Sequence, residues 1–117
     1  MFRFENLEIW QDAIVLSDDL FDISDETESK KLFRFAEQLR GAAMSISNNI
    51  AEGSGSFSDK EFAYFLNISR RSVFECANII IILQRRNLIV EKRKQDLFSR
   101  LDILSRKITN FRKSLKT

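Results

Sequence analysis

Ser45 to Leu66, with the sequence SISNNIAEGSGSFSDKEFAYFL, lie in the middle of the chain and determine the layout of the fold. Gly53 and Gly55 are typical of a helix C-terminus, because glycine enters the left-handed conformation without a Cβ penalty. The following Ser-x-x-Glu sequence has the form of a capping box. In it the Ser58 hydroxyl accepts from the Glu61 amide, and the Glu61 carboxylate accepts from the Ser58 amide. The stretch therefore predicts a hairpin between two long helices.

The composition favours one helical domain. The 117 residues include no proline and only three glycines, and 31% of them are charged while 44% are hydrophobic. This balance is typical of long helices rather than of a turn-rich sheet protein. A single cysteine, Cys76, permits no internal disulfide, and without histidine it leaves no plausible zinc set. We expect no metal and no cofactor.

The chain shows no targeting or membrane-spanning signal. Its start, MFRFENLEIW, contains acidic residues and no long apolar run, unlike a signal peptide. The densest apolar run, Ile79 to Leu83, is too short to cross a bilayer. We predict a cytoplasmic protein without a membrane partner.

Hydrophobic periodicity predicts four helices, at about residues 7–21, 30–52, 58–87 and 90–115. Asn6 is the predicted N-cap of the first helix, and Asp22 to Ser29 the first linker. The first core stripe is predicted at Leu7, Trp10, Ile14 and Phe21, with Ala13 and Leu20 alongside. In the fourth helix, leucines and other apolar residues alternate steps of four and three, as in a coiled-coil seam. Four such helices with short links predict an all-α, up-down-up-down four-helix bundle.

The third predicted helix has two apolar faces. One belongs to the core of the bundle, and the other consists of Tyr64, Ile68, Ile79 and Ile82. A helix with two apolar faces is either the central helix of its own bundle or part of an oligomer interface. We predict that these four residues form an oligomer interface, with the central-helix interpretation as the alternative.

Positive charge is concentrated in the last third of the chain. Residues 1–84 hold 8 Lys and Arg against 14 Asp and Glu, whereas residues 85–117 hold 11 against 3. Three cations of the fourth helix, Arg93, Arg100 and Lys107, are spaced by sevens. Such a stripe is either a solvated face or a phosphate-binding surface. The predicted nucleic-acid-binding residues are Arg85, Arg86, Lys92, Arg93, Arg100, Arg106, Lys107 and Lys113.

Signals of catalysis are weak. The absence of histidine excludes histidine-based general bases and triads, and Cys76 lies on a predicted core stripe. A polar cluster of Asn49, Glu52 and Arg70 is interpreted as a hydrogen-bonded network that fixes helix register, with a small-molecule pocket as the alternative. The sequence thus favours a protein that is not an enzyme.

Three segments carry a family resemblance. FENLEIWQDA (4–13), QLRGAAMSISNNIAEGSG (38–55) and SDKEFAYFLNISRRSVFE (58–75) resemble the four-helix-bundle family of 23S rRNA-intervening-sequence proteins. This family includes the accessory variability determinant (Avd) proteins of diversity-generating retroelements. The chain departs from the expected pattern at Gly41, Ser47 and Arg71, and Gly41 replaces an arginine that could contact phosphate.

The resemblance implies a homo-oligomer, with a pentameric barrel and a basic surface as the expected form. It also implies binding to RNA, DNA or a reverse transcriptase, without catalysis. Combined with the charge distribution, this predicts a non-enzymatic bundle that binds nucleic acid through its basic C-terminal helix. The alternative is a protein-interaction adaptor that docks a partner enzyme, such as a reverse transcriptase, without touching nucleic acid.

Overall fold

The computed structural model describes all 117 residues and contains helices but no strands. A 3₁₀ turn at Arg3–Asn6 precedes four α-helices: α1 (Glu8–Ser29), α2 (Phe33–Ser54), α3 (Asp59–Arg85) and α4 (Glu91–Ser114). The molecule measures 44 × 22 × 21 Å, close to the length of its longest helix. None of the helices combines the length and apolar character needed to cross a bilayer. The predicted all-α four-helix bundle is confirmed.

Hydrogen bonds between helices show that neighbours in the chain are antiparallel. The Ser69 hydroxyl of α3 donates to the Ile46 carbonyl of α2 over 2.8 Å. Arg112, near the end of α4, donates through Nε to the Ala63 carbonyl near the start of α3. The fourth helix also packs against the first, which closes the bundle. The connections α1–α2 and α3–α4 therefore lie at the same end of the molecule.

The core runs along the whole bundle and is built from one stripe of each helix. The predicted seam of α4 is confirmed, because Leu97, Leu101, Leu104 and Ile108 are all buried. The full core cluster also contains these larger side chains of the other helices: Ile9, Leu16, Leu20, Ile23, Leu39, Ile46, Ile50, Phe62, Leu66, Val73, Ile80 and Leu83.

The first helix is longer than predicted. It continues to Ser29, and the linker is reduced to the short segment 30–32, in which Lys31 has a φ of 63°. The predicted linker was wrong because Ile23 and Thr27 extend the buried stripe, and their burial outweighs the acidic composition. The Thr27 hydroxyl, inside the predicted linker, is hydrogen-bonded within the helix and donates to the Ile23 carbonyl over 2.7 Å.

The start and the buried face of α1 also differ from the prediction. Asn6 belongs to the 3₁₀ turn, and Leu7 occupies the N-cap position without a side-chain hydrogen bond. The helix faces the core with Ile9, Ala13, Leu16, Leu20 and Ile23, so Ile14 remains 36% exposed. Of the predicted stripe, Ala13 and Leu20 are buried, whereas Trp10 and Phe21 flank the core as partly buried side chains.

The hairpin between α2 and α3 is confirmed, although the serine cap and the two glycines differ in detail from the prediction. Ser58 is the N-cap of α3 and accepts from the Glu61 amide over 3.2 Å, but the Glu61 carboxylate makes no reciprocal bond. Neither glycine is left-handed: Gly53 lies inside α2, and Gly55 is its C-cap with a φ of −86°. A Cβ on Gly53 would lie 2.8 Å from Phe62 Cδ1 and from Phe65 Cβ. Glycine is needed there for close packing rather than for backbone conformation.

Candidate nucleic-acid interface

The three cations spaced by sevens in α4 face α1. Arg93 pairs with Glu26 at 2.8 Å, Arg100 pairs with Asp19, and Lys107 pairs with Asp12 at 2.8 Å. The two residue numbers in each pair add up to the same value, as a constant register between two antiparallel helices requires. Glu8 adds a second carboxylate to Lys107 at 2.7 Å. These pairs form an ion-pair ladder between α1 and α4.

The ladder stabilises the charged forms of its cations. Hydrogen bonds to Asp12 and then to Glu8 raise the pKa of Lys107 well above its ordinary value. A hydrogen bond to Asp19 likewise raises the pKa of Arg100. The predicted phosphate-binding row therefore already has counter-charges within the chain.

The other predicted cations lie on the outer face of α4 and at the two ends of the bundle. Arg106 points to solvent and pairs with Asp102 of the same helix at 3.2 Å. Arg85, Arg86, Lys92 and Lys113 are exposed and have no carboxylate partner. The first three of these lie around the α3–α4 connection, whereas Lys113 lies at the opposite end of the bundle.

The fold adds further cations to the α3–α4 connection. Because the α1–α2 connection lies at the same end of the bundle, this end combines six exposed cations without a carboxylate partner. They are Lys30, Lys31, Arg34, Arg85, Arg86 and Lys92, and together we call them the basic end.

Four carboxylates near the basic end are already engaged, whereas Glu37 beside Arg34 has no ion pair. Asp25 and Glu28 bind Arg40 at 3.0 and 3.4 Å, and Glu91 binds Lys94 at 3.7 Å. Glu26 belongs to the ladder. The six cations have no ion-pair partner in the chain, which makes this end an accessible positive surface.

Half of the basic end was not predicted from the sequence. Lys30, Lys31 and Arg34 were assigned to the start of the second helix and treated as part of an acidic body. Their distance in the chain from Arg85 and Arg86 hides the cluster, which exists only because the helices run up and down. A count of charges at each predicted connection could have revealed it.

The predicted polar cluster is not joined by hydrogen bonds. Asn49 donates to the Ser45 carbonyl and hydroxyl, at 2.7 and 2.9 Å, within its own helix. Glu52 is exposed, and the Arg70 guanidinium lies 4.7 Å from the centre of the Phe74 ring. The link between α2 and α3 is made instead by serines, since Ser72 donates to Ser45 over 2.7 Å.

The four residues of the predicted oligomer interface differ in exposure. Tyr64 is 62% exposed, whereas Ile79 is 7% exposed and belongs to the core of the bundle. Ile68 and Ile82 are half-buried. Tyr64 is therefore the member of this set with most surface to offer a second chain.

Cys76 is fully buried in the core, as its position on the core stripe indicated. Burial, followed by the nearby charge of Glu75, raises the pKa of this thiol to about 12. Such a thiol is protonated at neutral pH and unsuited to nucleophilic attack. No three metal-ligating side chains come together in the structure.

The architecture and surface define the class of the protein, a small all-α bundle of four antiparallel helices with a basic end. The family model of the 23S rRNA-intervening sequence protein matches residues 5–110 of the chain. The chain belongs to this family, as the three segments indicated. It is not a known enzyme family. No curated protein matches the chain.

Proposed function

We propose that the protein is a non-enzymatic bundle that binds nucleic acid, and that its basic end makes the principal phosphate contacts. The observation that carries this proposal is the group of six exposed cations without internal partners. The α4 cations Arg93, Arg100 and Lys107 contribute less, because the ladder supplies them with carboxylates.

Phosphate binding suits this surface better than recognition of bases. The six side chains come from two connections and the adjacent helix ends, so they form a charged surface rather than a helix that inserts into a groove. Affinity would arise from the release of counterions and would fall steeply with salt. We expect little preference for sequence.

Fluorescence anisotropy with labelled structured RNA and duplex DNA, measured across a salt series, tests the proposal. The variant Arg85→Gln, Arg86→Gln, Lys92→Gln should bind more weakly than the wild type. On duplex DNA its slope of log affinity against log salt should be shallower by roughly 0.9 for each phosphate that the variant no longer binds. Its circular dichroism should be unchanged, since the three side chains are exposed.

The matched control removes three positive charges from the opposite end, with Lys60→Gln, Lys113→Gln and Lys116→Gln. Both variants have the same net charge, so a general electrostatic effect would weaken both equally. Equal weakening, or binding of the wild type that does not depend on salt, would refute the assignment to the basic end. If only the control variant lost binding, the phosphate-binding surface would instead lie at the end of the bundle that contains Lys60, Lys113 and Lys116.

We also propose that the chain acts as a homo-oligomer, with a pentamer as the assembly implied by the family resemblance. Tyr64 supports this, because a tyrosine that is 62% exposed beside the half-buried Ile68 offers apolar surface to a second copy. Several basic ends in one assembly would increase the affinity for long nucleic acids through multivalency.

A further inference from the structure

A second surface, on the other side of α4, has the features of a protein-docking groove. Between α3 and α4 lies an open groove of about 200 Å³, whose apolar lining consists of Val73, Phe74, Ala77, Phe98 and Leu101. Phe74 is 56% exposed, although phenylalanine is normally buried inside a bundle. The small side chain of Ala77 leaves the space beside the Phe74 ring unfilled.

Arg70 lies beside this groove and has no anion of its own. Its guanidinium carbon lies 4.7 Å from the centre of the Phe74 ring, and no carboxylate of the chain forms an ion pair with it. Its Nε is buried and has no hydrogen-bond partner. A guanidinium that is partly removed from water and left unpaired favours an incoming carboxylate.

Lys94 places a second cation near the other end of the groove, and it forms only a long ion pair with Glu91, at 3.7 Å, beyond hydrogen-bond distance. Its ammonium group lies 5.2 Å from the centre of the Phe98 ring. The hydrogen bond from Arg112 to the Ala63 carbonyl fixes the register of α3 against α4 and brings Lys94 level with Ile81. Arg70 and Lys94 are thus separated by about 16 Å along the bundle, or three helical turns.

The remaining charges around the groove do not oppose an acidic partner. Asp102 is the only carboxylate in its lining, and it is paired with Arg106 at 3.2 Å. The groove therefore has an apolar floor between two cations.

We infer that this groove binds an acidic amphipathic helix of a partner protein. One apolar side chain of that helix would occupy the space beside Phe74 and Phe98, and carboxylates about three turns apart would pair with Arg70 and Lys94. Apolar anchors within a polar rim are the usual anatomy of helix-in-groove recognition. The inference is independent of nucleic-acid binding, because the groove contains no residue of the basic end.

A phage-displayed library of helical peptides, selected on the full-length protein, tests the inference. Enriched peptides should carry large apolar residues on one face, with Asp or Glu about three turns apart beside them. Anisotropy with a labelled peptide from the selection should show affinity losses of about tenfold or more for Phe74→Ser and for Arg70→Gln.

Two matched controls separate the groove from general surface effects. Phe33 has the same 56% exposure as Phe74 but lies at the start of α2, so Phe33→Ser should leave the peptide affinity unchanged. Arg71 is an exposed neighbour of Arg70, and Arg71→Gln removes the same charge. Replacing the acidic residues of the peptide with Gln or Asn should abolish binding.

Three outcomes would overturn the inference. The first is a selection that yields no peptides, or basic ones. The second is peptide binding that is equal for wild type, Phe74→Ser and Arg70→Gln. The third concerns the protein without peptide. If light scattering gives a lower mass for Phe74→Ser but not for the other variants, the groove belongs to an interface between copies of this chain.

Discussion

The guanidinium of Arg100 in α4 donates a hydrogen bond to the carboxylate of Asp19 in α1, 81 positions earlier in the chain. This pair is the middle rung of the ion-pair ladder. The ladder joins the two neighbouring helices that pack least extensively against each other in the bundle. Since α1 is acidic and α4 is basic, charge complementarity supports the register that core packing sets, at a surface where contact between the two helices is limited.

A double-mutant cycle measures the strength of this rung. With Arg100→Ala and Asp19→Ala, we expect a coupling free energy of about 1 kcal/mol or less, because both side chains are partly solvated. Urea unfolding at low and high salt gives the coupling, which should decrease with salt. The pair Arg106 and Asp102, within α4 and more exposed, serves as the comparison and should couple more weakly.

Neutralising the carboxylates of the ladder should strengthen nucleic-acid binding. The variant Asp12→Asn, Asp19→Asn, Glu26→Gln removes one carboxylate from each of Lys107, Arg100 and Arg93 and so makes them more available to phosphate. Lys107 keeps Glu8, and Arg100 keeps Asp96. Anisotropy should show tighter binding and a steeper salt dependence, by up to roughly 0.9 in slope for each additional phosphate bound on duplex DNA.

The control for this experiment changes the net charge equally while leaving the ladder intact. Asp18, Asp22 and Glu61 are exposed and have no cation partner, so Asp18→Asn, Asp22→Asn and Glu61→Gln provide it. If the two triple variants gain the same affinity, the ladder does not restrain the α4 cations.

Alanine at Gly53 and at Gly41 should have opposite effects on stability. A Cβ at Gly53 would lie 2.8 Å from Phe62 Cδ1 and Phe65 Cβ, whereas a Cβ at Gly41 meets nothing within 4 Å. Gly53→Ala should lower the free energy of unfolding by about 1–3 kcal/mol through overpacking. Gly41→Ala should raise it by up to about 1 kcal/mol through helix propensity. Urea denaturation of both variants tests this prediction, which is wrong if both substitutions change the free energy of unfolding in the same direction.

The buried thiol predicts a specific loss of stability at alkaline pH. Folding raises the pKa of Cys76 from 9.0 to about 12, so the folded state keeps its proton where the unfolded state loses it. The resulting stabilisation is complete below pH 9 and is lost as the pH rises toward 12. Relative to Cys76→Ala, the unfolding free energy of the wild type should fall by about 1.4 kcal/mol per pH unit in this window. Parallel pH profiles for the two proteins would show that the thiol titrates normally.

The assembly can be tested at Tyr64. Multi-angle light scattering of the wild type should give a multiple of the 13.7 kDa chain, with five copies expected from the family resemblance. Tyr64→Glu should reduce this mass, because it places a charge in the proposed interface. Tyr64→Phe keeps the apolar ring and should preserve the assembly. A monomeric wild type, or an unchanged mass in Tyr64→Glu, would argue against this interface.

Local patterns in the sequence determined the number of helices, the seam of α4 and the Ser58 cap. Each of these depends on residues within a few turns of one another: apolar side chains repeat along one face, and the Ser58 hydroxyl accepts from an amide three residues ahead. The length of α1 was predicted less well, because the acidic side chains around Ile23 and Thr27 masked a buried stripe that was still present in the sequence.

Only the tertiary structure determined which charged side chains are paired and which remain free. The seven-residue spacing of Arg93, Arg100 and Lys107 is visible in the sequence, but their carboxylates lie in α1 and face them only after the antiparallel register is set. The same packing gathers the basic end from two distant connections and leaves Phe74 exposed beside Arg70. Ion pairs and grooves depend on distances between helices, which are fixed by the packing of the whole core rather than by neighbours in the chain.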